Sequence, residues 1–81
     1  MDTREIFLDD EWRQISDGIH HIYLERRPAV TGGEVLFNLS QSKPTSQAGH
    51  TLVGSVIISN SLTVWCRAPG GSSRVVVSGW A

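Results

Sequence analysis

The sequence predicts an all-β fold, a single small β-sandwich or jelly-roll-like barrel preceded by a short N-terminal arm. Three observations carry that expectation. Runs rich in Val, Ile, Trp and Thr recur along the chain with the two-residue alternation of a half-buried strand. Clusters of Gly, Pro, Asn and Asp separate those runs at intervals of roughly 8 to 12 residues, the spacing of strands in sandwiches and barrels. After residue 11 no stretch shows the apolar spacing of an amphipathic helix.

Size narrows the options. With 81 residues the chain has material for one core. A domain of this length buries roughly 60% of the surface its unfolded chain exposes, so it needs reinforcement from a disulfide, a metal or a partner. Cys66 is the single cysteine, which rules out an internal disulfide. No Cys/His spacing matches a structural zinc site, so oligomerisation is the remaining supplement. Seven Lys and Arg against eight Asp and Glu give a net charge of −1, with Arg26-Arg27 as the longest basic cluster. That balance argues against a nucleic-acid partner, which needs a basic face. No apolar run approaches the ~20 residues of a membrane span. The opening residues lack the basic start and apolar stretch of a signal peptide, so a chain made in a reducing cytosol is expected.

Residues 1–11 stand apart. They hold five of the eight acids (Asp2, Glu5, Asp9, Asp10 and Glu11) around the apolar triplet Ile6, Phe7 and Leu8. Three consecutive apolar side chains cannot share one face of a strand. Two readings follow: a frayed or locally packed end, or an arm that docks Ile6, Phe7 and Leu8 on another chain. Residues 12–81 form the sandwich. A first hairpin is expected from strands at 12–16 and 19–25 around Asp17-Gly18, a dipeptide suited to tight turns, with Pro28 ending the second strand. After a loop turning at Gly32-Gly33, residues 34–39 form a strand with Val35, Phe37 and Leu39 on one side. Residues 40–50 are a long polar loop with Pro44 and Gly49, either a solvated connector or a binding loop. Residues 51–59 read as a strand bent at Gly54, and Asn60-Ser61 turns the chain. The clearest element is a final hairpin over 62–80, reversing at Pro69, Gly70 and Gly71. Its inner face carries Leu62, Val64, Cys66, Val75 and Val77, and its outer face carries Trp65 and Val76.

Few residues suggest chemistry. His20 and His21 are adjacent on a strand and point to opposite faces, so one chain does not aim both at one ion. The remaining metal arrangement would take one His from each of three chains, and no metal ligand is assigned. The ten serines supply no Gly-x-Ser-x-Gly setting. Cys66 reads as packing, since a buried free thiol is inert. No catalytic residue and no cofactor are therefore assigned, and an enzyme is not expected. Trp12, Trp65 and Trp80 are many for so short a chain; they point to core and subunit contacts ahead of sugar stacking. Trp80 is the expected interface residue.

The order of residues resembles a known group. Trp12, Ile15, Ser16 and Gly18 open it, and Tyr23 marks the second strand. Ser40 or Ser42, Pro44, Gly49, His50 and Leu52 follow in the loop, then Val64 to Ala68, Gly70, Gly71 and Val75 to Val77. Together they resemble small β-rich structural proteins of tailed bacteriophages, the compact domains of head decoration proteins, head fibres or spikes, and tail modules. The resemblance implies a non-enzymatic virion protein assembled in the host cytoplasm, a homotrimer or other oligomer seated on the major capsid protein or another virion protein. In that picture the arm grips the shell: Ile6, Phe7 and Leu8 are buried anchors, and Asp9, Asp10 and Glu11 meet basic residues of the partner. Trp65, Val76 and Trp80 are the expected subunit contact. The rivals are a glycan-binding host-attachment module using Trp65 or the 40–50 loop, and a tail or baseplate component of the same fold.

Overall fold

A computed structural model describes residues 3–27, 33–59 and 62–80. The turns expected at Pro28, at Gly32 and at Asn60-Ser61 lie outside the described residues. Eight strands are present: β1 (Arg4–Leu8), β2 (Arg13–Gln14), β3 (His21–Arg26), β4 (Leu36–Leu39), β5 (His50–Thr51), β6 (Ser55–Ile58), β7 (Val64–Arg67) and β8 (Ser73–Trp80). They form two four-stranded antiparallel sheets in the orders β1-β8-β3-β6 and β2-β7-β4-β5. The fold is the β-sandwich expected, and its strand order is that of a jelly roll, in which the chain crosses repeatedly between two sheets.

Alternation builds the core. Val75 and Val77 of β8, Ile22 and Leu24 of β3, and Val64 and Cys66 of β7 point inward and meet Ile15, Val35, Leu52 and Ile58. The inner and outer faces assigned to Val64, Trp65, Cys66, Val75, Val76 and Val77 are those observed; Leu62, expected inward, lies before β7 and is exposed at 42%. Its pairing is different: β7 bonds to β2 and β4, while β8 bonds to β1 and β3. The predicted final hairpin is therefore a crossing. A tight turn closes at Ala68, whose carbonyl accepts from the Gly71 N–H at 2.9 Å. The chain then enters the facing sheet, about 10 Å away.

The first hairpin fails for the same reason. β2 and β3 lie in different sheets, and the segment between them crosses. Asp17 organises that crossing, accepting the N–H groups of Ile19 at 2.8 Å and His20 at 3.2 Å. Ser16, buried, clips the turn to β7: its Oγ accepts the Val64 N–H at 3.0 Å and donates to the Leu62 carbonyl at 3.3 Å. The bend expected at Gly54 is real and larger than a bend. Gly54 has φ of 79°, a left-handed conformation glycine adopts without a Cβ penalty, and it divides 51–59 between β5 of one sheet and β6 of the other.

The N-terminal segment is no detached arm. Arg4–Leu8 pairs with β8 along its length, from Arg4 opposite Val77 to Leu8 opposite Ser73. Leu8 is 4% exposed in the core, Ile6 packs against it, and Phe7 faces outward at 67%. Alternation thus splits the apolar triplet between core and surface. The acids find partners within the chain: Glu5 lies 3.6 Å from Arg27 and 3.7 Å from Arg74, Asp9 3.3 Å from Arg13, and Glu11 3.4 Å from Lys43. The Asp10 carbonyl accepts from Arg67 Nε at 3.0 Å. Ile6 and Leu8 as anchors on a partner are corrected by this packing, while the Asp9 and Glu11 side chains remain exposed at 47% and 73%.

A strand and an arm respond differently to truncation. Leu8→Ala is expected to cost about 2–4 kcal/mol in urea unfolding, as buried leucines do, and Phe7→Ala less than about 0.5 kcal/mol. Equal, small effects would show that β1 contributes no core.

Candidate functional site

The outer faces of the two sheets differ in what covers them. Over the β2-β7-β4-β5 sheet, the connection from β4 to β5 folds back as a flap. Four side chains hold it through backbone carbonyls. Trp65 Nε1 donates to Ser40 at 2.8 Å, Trp12 Nε1 to Ser46 at 2.8 Å, Arg67 Nη1 to Gln47 at 3.1 Å and Asn38 Nδ2 to Ala48 at 3.1 Å. The Arg67 guanidinium also sits 5.7 Å from the centre of the Trp12 ring, a favourable cation–π arrangement. Gly49 permits the close approach, since a Cβ there would lie 2.9 Å from both the Phe37 carbonyl oxygen and Trp12 Cη2. Trp12 is 6% exposed beneath this flap.

The polar 40–50 loop is therefore occupied in covering its own sheet. Sequence reasoning treats Trp65 and Val76 as one outer surface. In the structure they stand on opposite sides of the sandwich, because their strands belong to different sheets. Trp65 is half-buried under the flap.

The β1-β8-β3-β6 sheet has no such cover among the described residues. Register arranges its outer face in rows. Phe7 lies beside Arg74. Glu5, Val76, Glu25 and Ser55 form the next row. Ser78, Tyr23 and Ile57 form the third, with Thr3 Oγ1 2.6 Å from Ser78 Oγ. His21 and Trp80 form the fourth, their rings stacked with centroids 5.7 Å apart and planes inclined by 27°. Glu5, Arg27 and Arg74 make one end charged and mutually compensated. The other end carries Tyr23, Ile57 and Trp80, while Phe7 stands beside Arg74 at the charged end. Phe7, Tyr23, Ile57 and Trp80 are all exposed, Ile57 at 68% and Trp80 at 44%. Strand edges and apolar side chains on one uncovered sheet make this face the candidate site.

Of the six contact residues expected, Phe7, Val76 and Trp80 lie on this face, Ile6 and Leu8 point into the core, and Trp65 is under the flap. Tyr23, Ile57 and His21 are additions. Alternation along β3 and β6 already turns Tyr23 and Ile57 away from the core; only the strand order brings them beside β8.

The histidines are dispersed. His20 Nδ1 lies 2.9 Å from Asp17 Oδ2, His21 stacks on Trp80, and the His50 ring lies 5.3 Å from that of Phe37. Among the described residues no three His, Cys, Asp or Glu side chains group as metal ligands would. The Ile19 N–H above all, with the His20 N–H and the adjacent His20 ring, lowers the Asp17 carboxyl to about 2 against an opposing desolvation. Burial pushes the Cys66 thiol up to about 12. The clefts are open; one of about 420 Å³ lies between the β1 and β2 edges and is lined by Arg4, Gln14, Ile15, Ser16 and Asp17. Arg4 Nη2 in it donates to the Ile15 carbonyl at 3.1 Å. No protein-family model, no curated protein and no solved structure matches this chain.

The two sides predict opposite mutational behaviour. Trp65→Phe removes the donor to the Ser40 carbonyl and is expected to cost about 1 kcal/mol of stability. Trp80→Ala is expected to cost less than that in thermal unfolding of the free chain; a larger loss at Trp80 would make it a core residue. Cys66 gives a pH test. Its thiol is protonated in both states below the ordinary value of 9.0; above it the unfolded chain ionises first, so stability falls as pH rises from about 9 toward about 12. At pH 8 a thiol reagent is expected to label Cys66 only after denaturation, and rapid labelling of the native chain would show that the site opens.

Proposed function

We propose that the chain is a non-enzymatic structural protein of a tailed-phage virion, built to assemble through the outer face of the β1-β8-β3-β6 sheet. The observation that carries this reading is the contrast between the two outer faces. One is closed by a flap that uses two tryptophans, while the other presents Phe7, Tyr23, Ile57 and Trp80. A chain that covers one sheet so thoroughly leaves the second for a neighbour. The residue order resembling phage head and tail modules supports the virion setting. The jelly roll adds an argument by analogy, since viral capsid and lectin domains use it. On this reading the neighbour is a copy of the chain or an adjacent virion protein such as the major capsid protein. The contact surface is a sheet face instead of an extended arm.

A second reading is favoured by one local feature. The Trp80 and His21 rings, beside the paired hydroxyls of Thr3 and Ser78, combine a stacking surface with polar groups, as a sugar-binding platform does. That supports a glycan-binding host-attachment module centred on Trp80, in place of one centred on Trp65 or the 40–50 loop.

Purified virions distinguish the readings. Quantitative mass spectrometry is expected to find the chain at a fixed copy number per particle. The double variant Phe7→Ser, Trp80→Ser is expected to fold and to fail to incorporate. Absence of the chain from purified particles overturns the virion reading. Saturable binding to a glycan array that Trp80→Ala alone abolishes would favour host attachment.

A further inference from the structure

The two sheets have four edges, and three of them are protected. β2 and β5 are two residues each, too short to template another strand. β1 carries Arg4 and Glu5, with Arg4 directed inward to the Ile15 carbonyl; an inward charge on an edge strand is a known guard against pairing. β6 has none of these guards. It is four residues long, Ser55–Ile58, with no further strand beyond it among the described residues. It lies within a stretch, residues 44–66, that contains no Asp, Glu, Lys or Arg. Val53 and Ile57 beside this edge are 79% and 68% exposed.

Register shows which backbone groups the edge presents. The Arg26 N–H donates to the Gly54 carbonyl at 2.8 Å, so the Arg26 and Gly54 pair is hydrogen-bonded. Alternation along an antiparallel ladder then makes Leu24 with Val56, and Ile22 with Ile58, the bonded pairs. Ser55 and Ile57 are the intervening residues. Their N–H and C=O groups point away from β3, toward the open edge.

We propose that this edge binds a second copy of the chain, β6 against β6 in antiparallel register about a two-fold axis, giving one continuous eight-stranded sheet. Three features favour a copy over a foreign strand. Antiparallel pairing of one segment with itself is compatible with two-fold symmetry, in which the same patch serves both partners. An uncharged strand places no like charges opposite each other when paired with itself. The exposed Ile57 side chains would also meet or neighbour one another across the seam, extending the Tyr23 and Ile57 row of the outer face into the second subunit. Main-chain bonds from Ser55 and Ile57 supply the contact, as in other strand additions. The inference stands apart from the virion reading, because it uses the sheet edge and requires no phage partner.

Sedimentation of the full chain from micromolar to millimolar concentration, with amide hydrogen exchange followed by NMR, tests it. The expected result is a monomer–dimer equilibrium in which exchange of the Ser55 and Ile57 amides slows as the dimer forms. Ile57→Pro removes an edge donor and leaves the bonded pairs with β3 in place. It is expected to weaken the dimer by about tenfold or more. Ile57→Lys, which keeps the backbone donor and adds a gatekeeping charge, is expected to act in the same direction if the proline variant does not fold. A wild-type chain that stays monomeric throughout overturns the proposal. So does a dimer in which Ser55 and Ile57 amides exchange at a concentration-independent rate. If that dimer is lost in the Phe7→Ser, Trp80→Ser variant, the sheet face associates and the edge does not.

Discussion

Alternation along β7 ties two packing layers together. Val64 and Cys66 turn inward and meet the valines and leucines of the facing sheet, while Trp65 and Arg67 turn outward and hold the 40–49 flap. β7 also lies between β2 and β4, so both neighbours depend on its register. A slip of one residue would bury an arginine and an indole N–H and expose the core-facing valine and cysteine, a cost of several kcal/mol. The inner core and the outer layer therefore fix the same register. That double requirement gives so short a chain a defined sheet.

The flap is an unusual investment for a small domain. Long polar connections usually stay solvated, and this one is held by two indole donors, a guanidinium and an amide. It gives the molecule two unlike sides. Beneath the flap lies a second, minor layer around Trp12, and opposite it lies a sheet whose outer face mixes a compensated charge cluster with exposed aromatics. Sidedness of this kind is the observation on which the proposed contact through the uncovered sheet rests.

The N-terminal acids illustrate how context decides what a charged segment does. β1 and the turn after it bring Glu5 and Glu11 beside basic residues distant in sequence, Arg27 and Lys43, while Asp9 meets Arg13 four residues on. Such exposed pairs contribute little stability individually. Glu5 also acts on pairing: it leaves β1 a charged edge and lies against Arg27 and Arg74 on the outer face. Charge is thereby concentrated on one side of the sheet, and the β6 side is left neutral.

Side-chain facing in β7 and β8 was legible in the sequence, as was the existence of most strands; β1 was not, and β5 and β6 read as one. Val75 and Val77 against Val76, Val64 and Cys66 against Trp65, and the bend at Gly54 follow from two-residue periodicity and from glycine's freedom, which are local properties. Sheet membership was not legible. Pro69, Gly70 and Gly71 say that the chain turns; they do not say whether the next strand bonds to the last one or crosses to the facing sheet, since either path needs the same turn residues. That choice rests on contacts distant in sequence, such as Ile6 against Val75 and Phe37 against Cys66. Hence the clearest predicted hairpin became a crossing, the predicted arm became an edge strand, and Trp65 and Val76 parted to opposite sides. The sequence by itself determined most of the strands after residue 11 and the alternation of β7 and β8, because those depend on neighbours one and two residues away. Only the tertiary structure decided which strands share a sheet and which face stays bare, because those depend on which closing arrangement buries the most apolar surface.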